Sequence, residues 1–235
     1  LPYSKIDIPS FYYAKQICDT IVMPAAKFGG KVHGGIDVQL PVRLYEANLV
    51  LDTSATIRDN INLILETMNQ ADLVWSGGKF KLKLEYPTSA AAEDALVDAS
   101  HFFTEDDIIR QSVTRNYPNA QERYNQVTVR FQNESENFKD DSITWPKTFS
   151  PVHSTYLSED NGQPMKTEIS TPGITNPYIA QAKAEYMVRF SRSVFHIELT
   201  LNKKALTLEP GDYFKLSSPN LGINNENFIA EEVEV

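Results

Sequence analysis

Apolar residues recur at helical spacing in three stretches of this chain and alternate with polar residues in several others. Tyr13, Ile17 and Ile21 share one face and predict a helix over 10–22, with Ser10 as its cap and Pro24 preventing continuation. Residues 42–51 read as a strand ending at Asp52-Thr53-Ser54. Ile57, Ile61, Ile64, Leu65 and Met68 then predict a second helix over 54–69. Leu73-Val74-Trp75-Ser76 and Phe80-Lys81-Leu82-Lys83-Leu84 flank Gly77-Gly78. Two glycines between apolar runs suit a tight hairpin, because primed turns need positive φ. On the second arm Phe80, Leu82 and Leu84 face inward, while Lys79, Lys81 and Lys83 read as a solvated face.

The second half is richer in strands. Thr104 caps a short helix over 104–109, where Glu105, Asp106 and Asp107 complement the positive helix start. Val127, Val129 and Phe131 alternate with Gln126, Thr128 and Arg130, which predicts a half-buried strand. Residues 133–142 and 146–155 read as polar loops around a strand at 142–145 that stops at Pro146. Asp160-Asn161-Gly162 supplies a turn. Asn176 followed by Pro177 marks a helix start, since proline at the first helical position loses nothing by lacking its N–H. That helix runs over 177–191, with Ile179, Ala182, Tyr186, Met187 and Phe190 as its packing stripe and Arg189 and Arg192 near its end. Phe195, Ile197, Leu199 and Leu201 then switch the period to two. Pro210-Gly211 fits the central positions of a type II turn. Strands follow at 213–216 and 228–235.

Composition adds boundaries rather than chemistry. Of the 235 residues, 41% are hydrophobic and 23% charged, which is a globular balance. The net charge of -9 argues against a general nucleic-acid binder and against an electrostatic membrane anchor. No apolar run approaches the roughly 18 residues of a membrane span. Residues 27–41, with Gly29-Gly30 and Gly34-Gly35, read as a flexible loop without phosphate-loop spacing. Residues 87–99, with Pro87, Thr88, Ser89 and a run of alanines, read as a connection between two lobes. The expected division is therefore an α/β lobe over 1–92 and a larger β-rich domain over 93–235, an α+β chain overall. The start at Leu1 and the alternating end Glu232-Val233-Glu234-Val235 read as an internal piece of a longer polypeptide.

Candidate chemistry is sparse. Cys18 falls in an apolar helical pattern and reads as a small core residue rather than a nucleophile. His33, His101, His153 and His196 lie far apart in sequence, so no zincin-type pair exists. There is no GxSxG elbow and no Cys-His signature. The adjacent acids at 105–107 point in different directions around a helix and suit capping better than a metal. The expectation is no catalytic, cofactor-binding or metal-binding residue. The residues singled out instead shape turns and caps: Gly77, Gly78, Gly162, Asn176, Pro177, Pro210 and Gly211.

Several of these segments, taken in order, resemble the central tail hub proteins of tailed bacteriophages and prophages, including the tail-tip host-specificity (J-like) proteins. The matching runs are Glu122-Arg123-Tyr124-Asn125-Gln126-Val127-Thr128-Val129 and Tyr156-Leu157-Ser158-Glu159-Asp160-Asn161-Gly162-Gln163-Pro164. Pro172-Gly173-Ile174-Thr175, Gln181-Ala182 and Leu206-Thr207-Leu208-Glu209-Pro210-Gly211-Asp212 follow. Leu51-Asp52-Thr53-Ser54 and Ser76-Gly77-Gly78-Lys79-Phe80 extend the resemblance toward the N-terminus. It implies a small antiparallel barrel-like tube domain with a flanking helix. It also implies a non-enzymatic virion role: a homotrimer at the tail tip or baseplate that closes the tail tube. The partners implied are the tube or distal tail protein and a fibre or spike, with host attachment and passage of genomic DNA and no specific nucleic-acid binding. The alternative is a carbohydrate-binding or carbohydrate-cleaving β-rich module at a tail tip.

Overall fold

The structure, a computed structural model, describes residues 2–22, 41–84, 101–109, 112–116, 123–193 and 196–234. The Gly29-Gly30 and Gly34-Gly35 segment, the connection over 87–99 and the boundary after residue 92 lie outside them. In chain order the elements are α1 (Ile8–Cys18), β1 (Ile21–Val22), β2 (Val42–Arg43), α2 (Ile57–Leu65), β3 (Asp72–Ser76) and β4 (Lys79–Lys83). Next come β5 (His101–Thr104), β6 (Thr114–Asn116), β7 (Gln126–Asn133), β8 (Lys139–Trp145), α3 (Pro151–Glu159) and β9 (Lys166–Ser170). The chain closes with α4 (Pro177–Ser193), β10 (His196–Glu198), β11 (Tyr213–Ser218) and β12 (Ile223–Ile229). The architecture is mixed α+β, and the described strands form five small sheets: β1-β2, β3-β4, β10-β6, β12-β11-β5 and β8-β7-β9. Among the described residues no sheet closes into a barrel. Nor is the pairing wholly antiparallel, because β7–β9 and β11–β5 run parallel. The chain returns from β8 to β9 through α3, and a helical crossover delivers β9 parallel to β7.

The residues cluster into two compact units, each assembled from separated stretches. The first comprises Leu1–Ala14, Gln70–Tyr117 and Phe195–Val235; the second comprises Lys15–Asn69 and Pro118–Val194.

In the second unit, α4 covers the β8-β7-β9 sheet. Val127, Val129 and Phe131 of β7 meet Ile174, Ile179, Ala180, Ala184 and Val188 in the core, and all are buried. The packing stripe of α4 is thus rotated from the one expected. Ala182 is exposed, and Tyr186 and Phe190 stack on each other with centroids 5.4 Å apart. The small residues Ala180 and Ala184 take the sheet-facing positions because they let the helix approach closely.

Both expected loops around β8 carry regular structure. β8 begins at Lys139, since edge-strand ladder bonds tolerate charged side chains. The segment after Pro146 holds α3, which Ser150 starts by accepting the His153 N–H at 3.2 Å.

The first unit packs Phe103, Phe214, Leu216, Ile223 and Ala230 around the β12-β11-β5 sheet. β12 starts five residues before the strand expected at 228–235 and shares only Phe228 and Ile229 with it. Its polar run Asn224-Asn225-Glu226-Asn227 hides the strand in the sequence, and a bulge opposite Ser217 accommodates Asn225 at φ 55. Helix α1 starts two residues before the expected cap. Asp7, not Ser10, accepts the capping N–H at 3.2 Å, and the Ser10 hydroxyl instead accepts the Leu82 N–H at 3.1 Å. The strand expected over 42–51 shrinks to β2, and the second helix is shorter, with Thr56 as its N-cap.

Candidate functional site

The singled-out turn residues fall into two groups, one in each unit. In the first unit, Gly77 and Gly78 form the two-residue link between β3 and β4, with φ of 58 and 75. Positive φ at both positions defines a type I′ turn, whose twist matches that of the strands. Glu209-Pro210-Gly211-Asp212 closes through Asp212 N–H to Glu209 O at 3.0 Å, with Gly211 at φ 82. That is type II geometry, with proline and glycine at the two positions that need them.

The structure brings this second turn against β4. Lys81 pairs with Glu209, and Lys83 with Asp212. The two lysines are therefore half-buried and neutralised rather than solvated; Lys79 stays exposed. The Lys81 ammonium, against the opposing effect of burial, holds the Glu209 carboxyl below its usual range. A Cβ on Gly211 would stand 2.8 Å from Lys83 Cγ, so glycine serves both the turn and the close approach.

In the second unit, Asn176 and Pro177 open α4. The Asn176 side chain accepts the Tyr178 N–H at 2.9 Å. At the end of α3, Gly162 N–H donates to Leu157 O at 2.7 Å and Asn161 N–H to Ser158 O at 3.1 Å. These are the two bonds of a Schellman cap, with Asn161 in the left-handed conformation at φ 55.

Beside this cap lies a charge cluster that sequence reasoning missed. Arg192 donates to both oxygens of Asp160, to Glu159 at 2.6 Å and to the Tyr124 carbonyl at 3.2 Å. Its guanidinium lies 4.3 Å from the Tyr156 ring centroid, a cation–π contact. Asn125, fully buried, donates to Asp160 at 3.0 Å and to Gln163 O at 2.7 Å and accepts the Met165 N–H at 3.0 Å. Burial alone would raise the Asp160 pKa, but Arg192 and Asn125 outweigh it and hold the carboxyl below its usual value. The signal was the run Arg123-Tyr124-Asn125 together with Glu159-Asp160. Only the fold shows that Arg192 joins them, instead of simply facing the helix dipole.

The remaining reactive groups are occupied structurally. Burial, reinforced by Asp19, pushes the Cys18 thiol up, and its Sγ lies 3.7 Å from Met68 Sδ. His153 is buried in α3, and His101 shares a 2.8 Å hydrogen bond with Thr207. Among the described residues no group of three or more His, Cys, Asp or Glu side chains could hold a metal. No helix of the described residues is long and apolar enough to cross a membrane. Among the described residues, much of the buried and half-buried polar chemistry goes into turns, caps and ion pairs.

The fold is a set of small sheets whose turns and caps are reinforced by polar side chains and ion pairs. Residues 56–228 match the family described as "Putative phage tail protein", and the chain belongs to that family. Over 192 residues it is 23% identical to the baseplate hub protein pb3 of Escherichia phage T5, a match covering 82% of this chain and 18% of that protein. The chain thus spans less than a fifth of this relative. A chain in the virion of a native gene transfer agent particle shares the fold at a TM-score of 0.50 and 13% identity, covering 75% of this chain and 36% of that one. The 43 kDa tail protein of prophage MuSo2 from Shewanella oneidensis aligns at a TM-score of 0.42 and 11% identity, over 77% of this chain and 48% of that one. The chain is thus a member of a tail-protein family, and one curated relative is a baseplate hub protein.

Proposed function

We propose that this chain is a hub segment of a tail tip or baseplate. In this reading it assembles as a homotrimer in the full-length protein, closes the distal end of the tail tube, and connects it to a fibre or spike during host attachment and DNA delivery. The observation that carries the reading is the 192-residue match to a baseplate hub protein inside a tail-protein family. Among the described residues the outer edges of β8 and β9 are unpaired, which supports it, because a sheet left open in one copy can be continued by a neighbour. A barrel-like tube wall then belongs to the assembled ring rather than to one chain. The net charge of -9 suits a conduit whose wall must not hold phosphate.

The test is an electron-microscopy map of the intact particle. Threefold density for this chain at the distal tail end, with an acidic lumen, is the expected result. Finding the chain elsewhere in the particle, or absent from it, would overturn the reading; a basic lumen would overturn the conduit argument.

A second reading, carbohydrate binding, draws on one observation in the first unit. Trp75 is 52% exposed with Lys5 Nζ 5.7 Å from its ring centroid, and Tyr3 is 82% exposed. Exposed aromatic faces can stack on sugar rings. Host-polysaccharide binding that is lost in Trp75→Ala would favour it; equal binding by the variant would remove it.

A further inference from the structure

The second unit carries two exposed phenylalanines in the left-handed backbone region, one at each end of β8. Phe138, at φ 57 and 58% exposed, ends the β7–β8 connection. Phe149, at φ 65 and 91% exposed, lies between β8 and α3. A non-glycine residue with positive φ is uncommon, and a bulky one there carries conformational strain. A backbone hydrogen bond closes each turn nonetheless. Phe138 N–H donates to Asn133 O at 2.8 Å, and Ser150 N–H closes over Phe149 onto Lys147 O at 3.0 Å. Both backbones thus hold an aromatic ring out into solvent at the ends of a seven-residue strand, roughly 20 Å apart by strand rise.

The two ends differ in charge. Around Phe138 the run 134–141 holds Glu134, Glu136, Asp140 and Asp141 against Lys139. Around Phe149 stand Lys147 and Lys166. Lys166 is in register with Gln126, whose side chain donates to Pro146 O and Thr148 Oγ1 at 3.0 Å each. Glu136, Asp140, Lys147 and Lys166 are exposed and join no ion pair among the described residues. Val152, 42% exposed, widens the apolar surface beside Phe149.

We propose that the acidic Phe138 end of one copy docks on the basic Phe149 end of a second copy. The contact is heterologous: each copy offers one end and accepts the other, so it propagates head to tail and closes only where the rotation allows. Aromatic anchors supply the buried contact, and the opposite charges set direction and register. The inference rests on the self-association in the hub reading and names the surfaces that would carry it.

The test uses sedimentation velocity on the whole chain over a concentration series, at low salt and at about 1 M salt, where charge steering is screened. The wild type should associate at low salt and weaken by roughly tenfold or more at high salt. Phe138→Asn and Phe149→Asn use a residue that tolerates positive φ, and each should be monomeric with an unchanged melt. An equimolar mixture of the two should form a dimer that grows no further, since only one pair of intact ends remains. Lys147→Glu should abolish association, and adding Glu136→Lys should restore it. A wild type that stays monomeric, a single variant that associates like the wild type, a mixture that stays monomeric, or a charge swap without rescue would each overturn the proposal. All of these leave the hub reading standing, since that is decided on intact particles.

Discussion

Arg192 holds Asp160 with two hydrogen bonds, Nη1 to Oδ2 at 2.8 Å and Nη2 to Oδ1 at 3.2 Å. The two side chains keep only 6% and 2% of their surfaces exposed. A charge pair this deep gains from attraction in a low dielectric but pays heavily in desolvation. Removing Arg192 therefore leaves the buried Asp160 without its main counter-charge, whereas without Asp160 the guanidinium still has Glu159.

Arg192→Met should destabilise the second unit by about 3–5 kcal/mol, read from urea or thermal unfolding. Asp160→Asn should cost less, because the amide keeps an acceptor for Arg192. Equal small losses from both substitutions would show that the cluster contributes little.

Gly211→Val should destabilise the first unit by about 1–3 kcal/mol, since it combines strain at φ 82 with a clash against Lys83. Gly77→Asn, at a turn position with nothing within 4 Å of a new Cβ, should be nearly neutral. An unchanged melting temperature for the valine variant would count against the double role of Gly211.

Lys183 gives the second unit an alkaline limb. Desolvation lowers its pKa to about 8 against a pull from Glu66, and its Nζ donates to Met68 O. The unfolded chain keeps that proton up to about pH 10.4, so between the two values the unfolded state binds more protons and stability rises with pH. Below about pH 8 both states are protonated and the penalty, up to about 3 kcal/mol, is fully present. Lys183→Met should flatten this rise between pH 8 and 10 in chemical denaturation. Parallel curves for the two proteins would refute the assignment.

Asp107 should contribute on the acid side. The Thr104 N–H, then Lys204 and Asn202, hold its carboxyl near 2. A depressed carboxylate stabilises the fold above its unfolded value near 3.9, and that contribution is lost as pH falls through about 2. Asp107→Asn should shift the acid unfolding midpoint of the first unit upward and reduce its steepness. An identical acid transition would sink the prediction.

The legible parts of this chain were those whose local chemistry has one solution. Gly77-Gly78 needs positive φ twice, and Asn176-Pro177 can open a helix but hardly continue one, so both could be read from neighbours alone. α3 was illegible because its residues form no strong apolar stripe. Its start at Ser150-Pro151 was the usable signal, and polarity masked it. β12 was hidden for a similar reason: the polar run Asn224-Asn225-Glu226-Asn227 shows no apolar alternation, and only β11 supplies its partner backbone. The lysines of β4 looked solvated because their partners, Glu209 and Asp212, lie more than 120 residues away in sequence. No alternation rule can see such a contact. The buried Arg192 cluster is long-range in the same way.

The separated stretches that make up each unit bear on the order of events during synthesis. The second unit lacks its sheet and α4 until residues 118–194 have emerged from the ribosome, although its opening stretch ends at Asn69. The first unit waits longer still, because β11 and β12 follow α4 in the chain. Translation therefore completes the second unit before the first, although the stretch Leu1–Ala14 of the first unit precedes every residue of the second.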